Sequence, residues 1–160
     1  MKSEKSMPER SVIHNTFVIE RNFPATVQRV FAAFSDPVKK RRWFAEGDEF
    51  KVESFDLDFR VGGHERSQFL VQGMVCTNDT VYLDIVPERR IVFAYTMTLG
   101  EKRISSSQST VELLPTANGT DLVFTEQAAF FEGADGPQMR QDGWTKLLGN
   151  LEKEFTGESR

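Results

Sequence analysis

The sequence predicts an α+β fold: a curved antiparallel sheet of about seven strands wrapped around a long C-terminal helix, with two short helices after the first strand. Three observations carry this reading. The middle of the chain is a succession of alternating apolar segments joined by hairpin-like turns. The last forty residues hold an apolar repeat at spacings of three and four, from Trp144 to Phe155. A length of 160 residues suits one domain with one core.

The elements follow in order. Thr16 to Arg21 alternates, with Phe17 and Ile19 on one face, and reads as the first strand. Pro24 opens a short helix whose stripe is Val27, Val30, Phe31 and Phe34. Ser35 or Asp36 can cap a second helix, Pro37 fits its first turn, and this helix carries Val38 through Phe44 and ends near Gly47. Phe50 to Phe59 is a strand, and Val61-Gly62-Gly63 a turn or bulge. His64 to Val71 follows, then a break at Gln72-Gly73. Thr77 to Val86 places Val81, Leu83 and Ile85 on one face. After the turn at Pro87 to Arg90, Ile91, Phe93, Tyr95 and Met97 share a face. Arg103 to Leu114 is a strand that is polar at its start. Asn118-Gly119 is a hairpin turn, and Thr120 to Ala128 closes the sheet. Gly136-Pro137 starts the last helix; Trp144, Leu147, Leu148, Leu151 and Phe155 form its inward face, and Gly157 is its stop.

Hydrophobic residues at 39% and charged residues at 28% fit a soluble globular protein. The net charge of −4 argues against nucleic acid as a partner. No apolar run approaches the ~20 residues of a membrane span. Met1 to Arg10 is polar, without a signal-peptide stretch; residues 1–12 are expected to form a flexible tail and 13–157 a single domain. Cys76 is the only cysteine, so an intramolecular disulfide and a cysteine-rich metal site are excluded, and a cytoplasmic location is expected. His14 and His64 are the only histidines, fifty positions apart, and make no metal signature. No cofactor is expected. Fourteen phenylalanines, against two tryptophans and two tyrosines, fit either a ring-rich core or an apolar pocket.

An ordered set of short motifs resembles a known family. They are Phe23-Pro24-Ala25, Asp36-Pro37 with Trp43-Phe44, Val61-Gly62-Gly63, Asp84 to Val92, Asn118-Gly119-Thr120, Phe124-Thr125-Glu126-Gln127 and Gly143-Trp144. Across residues 14 to 156 the chain is similar to the START-like, or SRPBCC, superfamily, in the branch named for activators of the ninety-kilodalton heat-shock chaperone's ATPase. The resemblance implies a helix-grip fold with a cavity between sheet and helix. Members bind lipids, hormones and polyketides, assist chaperones or catalyse cyclisations, so the activity must come from the site itself.

Among polar residues Glu126 is the most informative. It shares a face with Leu122, Phe124 and Ala128, and there it is either a carboxylate in an apolar cavity or a strand-end or arginine-paired group. His64 is either a contact at the cavity mouth or a strand-edge histidine. Trp144 either stacks on a ligand or anchors the core. Gly143 and Gly149, each costing about 1 kcal/mol against alanine, point to close approach of the helix to the sheet or to room for a ligand. Trp43, Phe59, Phe69, Phe93, Tyr95, Met97, Phe124 and Leu148 complete the candidate lining. Lys39-Lys40-Arg41-Arg42 reads as a solvated helix face or a surface for an acidic partner. Ser105-Ser106-Ser107 has no base beside it, so a serine nucleophile is not indicated. Cys76 reads as a buried, inert thiol.

The leading expectation is a protein that holds an apolar or aromatic, lipid- or polyketide-like small molecule between sheet and helix, as a monomer or homodimer. One alternative is a chaperone-assisting, stress-response interaction protein. Another is a cyclase or dehydratase using Glu126 with His64 or Tyr95, although the sequence holds no complete catalytic constellation.

Overall fold

The computed structural model describes residues 10–46 and 51–156. The expected N-terminal tail lies mostly outside the described residues, as do Gly47, Phe50 and Gly157. The alternation of the first segment continues in both directions, and strand β1 spans Ile13–Phe23 with Phe17, Ile19 and Phe23 buried. Pro24 does not itself open the helix. Thr26 caps α1 (Val27–Ser35) by accepting a hydrogen bond from the Arg29 backbone N–H. Asp36 caps α2 (Pro37–Lys40), accepting from the backbone N–H groups of Val38 and Lys39, with Pro37 in the first turn. The helix then widens into a π-turn, Arg41–Ala45, which buries Trp43, Phe44 and Ala45.

Six strands follow: β2 (Lys51–Leu57), β3 (His64–Val71), β4 (Met74–Val86), β5 (Arg90–Leu99), β6 (Lys102–Thr116) and β7 (Gly119–Phe130). With β1 they make one seven-stranded sheet in the order β1-β7-β6-β5-β4-β3-β2, with every neighbouring pair antiparallel. The chain enters at one edge, crosses over through the two short helices to the other, and returns by hairpins. At Gln72-Gly73 both residues have positive φ, 51° and 84°, so the expected break is a tight primed hairpin turn between β3 and β4. Gly63 is fixed by close approach: a Cβ there would stand 2.1 Å from the Asp58 carbonyl oxygen.

One strand face departs from its expected pattern. The pairing of β4 with β5 shifts between Tyr82 and Asp84, so Leu83 is an extra, exposed residue. Before this bulge the inward side chains are Cys76, Asn78, Thr80 and Tyr82; beyond it Ile85, paired with Ile91, packs against the core. Alternation through Val81, Leu83 and Ile85 therefore does not describe one face.

Helix α3 spans Pro137–Glu152 and lies across the concave side. Trp144, Leu148 and Leu151 are buried on it, and Phe155, one turn past its end, packs on Phe23 with ring centroids 5.4 Å apart. Burying each leucine fully contributes about 1.5–3 kcal/mol. Gly143 and Gly149 do not mark close packing: a Cβ at either position would have no neighbour within 4 Å.

Two stability outcomes follow. Leu148→Ala should cost about 2–5 kcal/mol in denaturant unfolding, since the site is fully enclosed. Gly149→Ala should instead stabilise by up to about 1 kcal/mol, because it gains helix propensity without a clash. A destabilised Gly149→Ala would show that the helix needs the glycine.

Candidate functional site

The grip leaves a cavity of about 590 Å³ on one side of α3. Its floor is the inward face of three strands: Phe69 and Val71 on β3, Cys76, Asn78 and Thr80 on β4, and Phe93, Tyr95 and Met97 on β5. One side wall is the π-turn, with Trp43 and Phe44, and the preceding Lys40. The roof is the face of α3 that carries Met139, Arg140, Gly143, Trp144, Leu147 and Asn150. These residues recur at helical spacing, so a single stripe faces the space. Gly143 stands in the middle of that stripe and presents no side chain.

The expected lining residues separate into two groups. Trp43, Phe69, Phe93, Tyr95, Met97 and Trp144 are on the cavity wall. Phe59, His64, Phe124, Glu126 and Leu148 are not on it. Phe59 packs edge-on against Tyr82 and Phe31, at 4.9 and 5.6 Å. Phe124 lies 4.3 Å from the Trp144 ring on its core side, and Leu148 is in the core. His64 is exposed at the start of β3, because its neighbour Glu65 takes the inward position. One side of Trp144 anchors the core against Phe124 and the other faces the cavity.

Glu126 is fully buried, but behind Tyr95 rather than in the open space. The Tyr95 hydroxyl donates to its carboxylate at 2.9 Å and accepts from the Trp144 indole N–H and the Arg140 guanidinium, both at 3.2 Å. Ser109 also donates to Glu126, at 3.0 Å. Arg140 is itself held by Asp135 at 2.7 and 2.9 Å and donates to Ser105 at 2.9 Å. Burial pushes the Glu126 carboxyl above the usual carboxylate range, against the opposing pull of Arg140, Tyr95 and Ser109. Burial likewise pushes the Tyr95 hydroxyl up, reinforced by the Glu126 charge. Glu126 and Tyr95 thus meet, while His64 stands apart from both.

A second polar cluster was not foreseen. Lys40 is buried, and its ammonium donates to Glu65 at 2.9 Å. The Tyr82 hydroxyl donates to the same carboxylate oxygen at 2.5 Å. The ammonium also stands over the Phe44 ring at 4.6 Å and near those of Trp43 and Phe34, at 5.6 and 5.9 Å. The basic run therefore is not a uniform solvated face. Lys39 is exposed, Lys40 is buried, Arg41 pairs with Glu46, and Arg42 makes a two-pronged ion pair with Glu154 beyond α3. Lys40 differs from its neighbours only in direction, which a run of four like residues does not reveal.

The buried serines of β6 (Ser105, Ser107 and Ser109) face inward; Ser109 donates to Glu126 and Ser105 accepts from Arg140. Cys76 is a free thiol on the cavity floor, and burial pushes its pKa up. Among the described residues no group of three or more histidine, cysteine or acidic side chains is placed to hold a metal ion. No helix among them is long and apolar enough to cross a membrane.

Residues 24–156 match the family model described as Activator of Hsp90 ATPase homolog 1-like protein. A protein from Rhizobium leguminosarum, 43% identical, superposes with a TM-score of 0.89 over 94% of this chain and all of its own. The Mll3558 protein from Rhizobium loti, 46% identical, gives 0.84 over 91% of this chain and 99% of its own. An AHSA1-like protein from Aeromonas hydrophila shares the fold at 16% identity and a TM-score of 0.67, over 91% of this chain and 99% of its own. No curated protein matches the chain.

The network around Tyr95 yields two outcomes. Tyr95→Phe leaves Glu126, Arg140 and Trp144 each short of a partner and should cost about 1–3 kcal/mol in unfolding free energy. Glu126 holds its proton to higher pH in the folded than in the unfolded chain. The stability tied to it is therefore full below its ordinary value of 4.5 and is lost as pH rises through the raised folded value. Glu126→Gln should flatten the fall of Tm with pH above 4.5; a slope equal to wild type would contradict the assignment.

Proposed function

The chain belongs to the Activator of Hsp90 ATPase homolog 1-like family, and we propose that this member binds an apolar or aromatic small molecule in the cavity under α3. The observation that carries the reading is the combination of about 590 Å³ of open space with a wall of Trp43, Phe44, Phe69, Phe93 and Trp144. Ligand sites fall between about 300 and 1,000 Å³ and pair apolar walls with a few polar groups. This cavity has both. Gly143 adds support: it gives up helix propensity where a side chain would only fill the space. Residues 13–157 act as one binding domain in this reading, and the free Cys76 fits a reducing cytoplasm. Binding, not turnover, is the proposed activity.

Native mass spectrometry and thermal-shift screening against lipids, aromatics and polyketides test it. A ligand at a hundred times its Kd stabilises by about 2.7 kcal/mol, which should raise Tm by roughly 5–10 °C. The same ligand should quench tryptophan fluorescence and slow the reaction of Cys76 with a thiol reagent, since Trp43, Trp144 and Cys76 share the wall. Gly143→Leu should fold normally and lower affinity at least about tenfold by occupying the space. Failure of every class to shift Tm, with Gly143→Leu behaving as wild type, would remove the proposal.

A further inference from the structure

The two buried polar clusters differ in how much of their bonding capacity is spent. Around Tyr95 the hydroxyl donates once and accepts twice, which exhausts it. The cluster at Lys40 is incomplete. Its ammonium carries three N–H groups and donates to one described acceptor, Glu65 Oε1. Oε1 also takes the Tyr82 hydroxyl, while Oε2 receives no hydrogen bond from a described residue. Lys40 and Glu65 both line the cavity, side by side, so an unused donor and an unused acceptor adjoin one another at its wall.

Resting on the binding role above, we propose that Lys40 and Glu65 form a subsite for a hydroxyl group on an aromatic ligand, a phenol, which accepts from the Lys40 ammonium and donates to Glu65 Oε2. The charges select this chemistry. A carboxylate on the ligand would meet Lys40 favourably but be repelled by Glu65, and an ammonium would meet the reverse. A neutral group that donates and accepts through one atom satisfies both. The ring follows from the surroundings: Phe44, Trp43 and Phe69 line the same cavity, and Phe44 lies directly beneath the ammonium. Tyr82 supports the arrangement from behind. Its short bond, donated to Oε1, holds the Glu65 carboxyl group in place.

The test is a calorimetric titration of the wild-type protein with three naphthalenes that differ at one substituent: the β-hydroxyl, the β-methoxy ether and the β-carboxylate. The hydroxyl compound should bind about tenfold or more tightly than the ether, because loss of its proton leaves a charged acceptor unmatched. The double variant Lys40→Met/Glu65→Leu, which offers neither donor nor acceptor, should lose the preference and bind hydroxyl and ether equally. Equal affinities in the wild type, or tighter binding of the carboxylate, overturn the phenol subsite and leave the binding role standing. Absence of binding by all three overturns the phenol subsite, and the wider ligand screen then decides the binding role separately. If the double variant does not fold, as its melting curve would show, the wild-type series decides alone.

Discussion

The hydroxyl of Tyr95 is the point at which sheet and helix are joined. It is buried on β5, donates to Glu126 on β7 two strands away, and accepts from two residues of α3. A hydrophobic interface alone would let the helix slide or turn along the concave surface, because apolar burial has no direction. Three hydrogen bonds to one buried oxygen fix rotation and register together. Their strength comes from the same burial that pushes the Glu126 carboxyl upward. The ion pair of Arg140 with Asp135, just before the helix, extends the clamp to its entry.

From that fixed point the helix divides the interior in two. Toward its C-terminal end Leu148 and Leu151 are enclosed, and Phe155 closes the layer against Phe23 and the Arg29 guanidinium. Toward the β3–β5 side, Met139, Gly143 and Leu147 face open space. Trp144 stands on the boundary, its ring on Phe124 and its N–H on Tyr95. The Arg42–Glu154 pair then ties the π-turn to the chain beyond the helix, at the rim of the same cavity. The cavity is therefore framed by polar contacts at its helix and its rim, and walled by rings.

Much of this was legible in the sequence, because it rests on periodicity. The inward face of β5, from Ile91 to Met97, and the buried face of α3 follow from spacings of two and of three to four. What escaped has physical reasons. A one-residue bulge at Leu83 resets alternation, and no residue type announces it. His64 and Glu65 differ by one position, so the chemically prominent residue pointed outward and the plainer one inward. The serines of β6 look like a solvent-facing polar segment, yet Ser109 serves Glu126 from within the barrel-like curve. Lys40, the last residue of α2, was hidden in a run of like charges whose spacing does not show which member points inside. Gly143 and Gly149 were readable as exceptions in a helix, but close approach and empty space give the same letter.

Burial of charge alone does not distinguish a structural group from a binding one, since both clusters are buried. What distinguishes them is the count of unused bonds. In the Glu126–Tyr95–Arg140 group the central hydroxyl is saturated, and its removal harms the fold itself. In the Lys40–Glu65–Tyr82 group a donor and an acceptor are held rigidly and left open toward a cavity of ligand size. Burying such an ion pair costs desolvation free energy that its one mutual bond offsets only in part. A ligand that completes both bonds recovers that cost on binding, so the least stabilising part of the interior is the part with most to gain from occupancy.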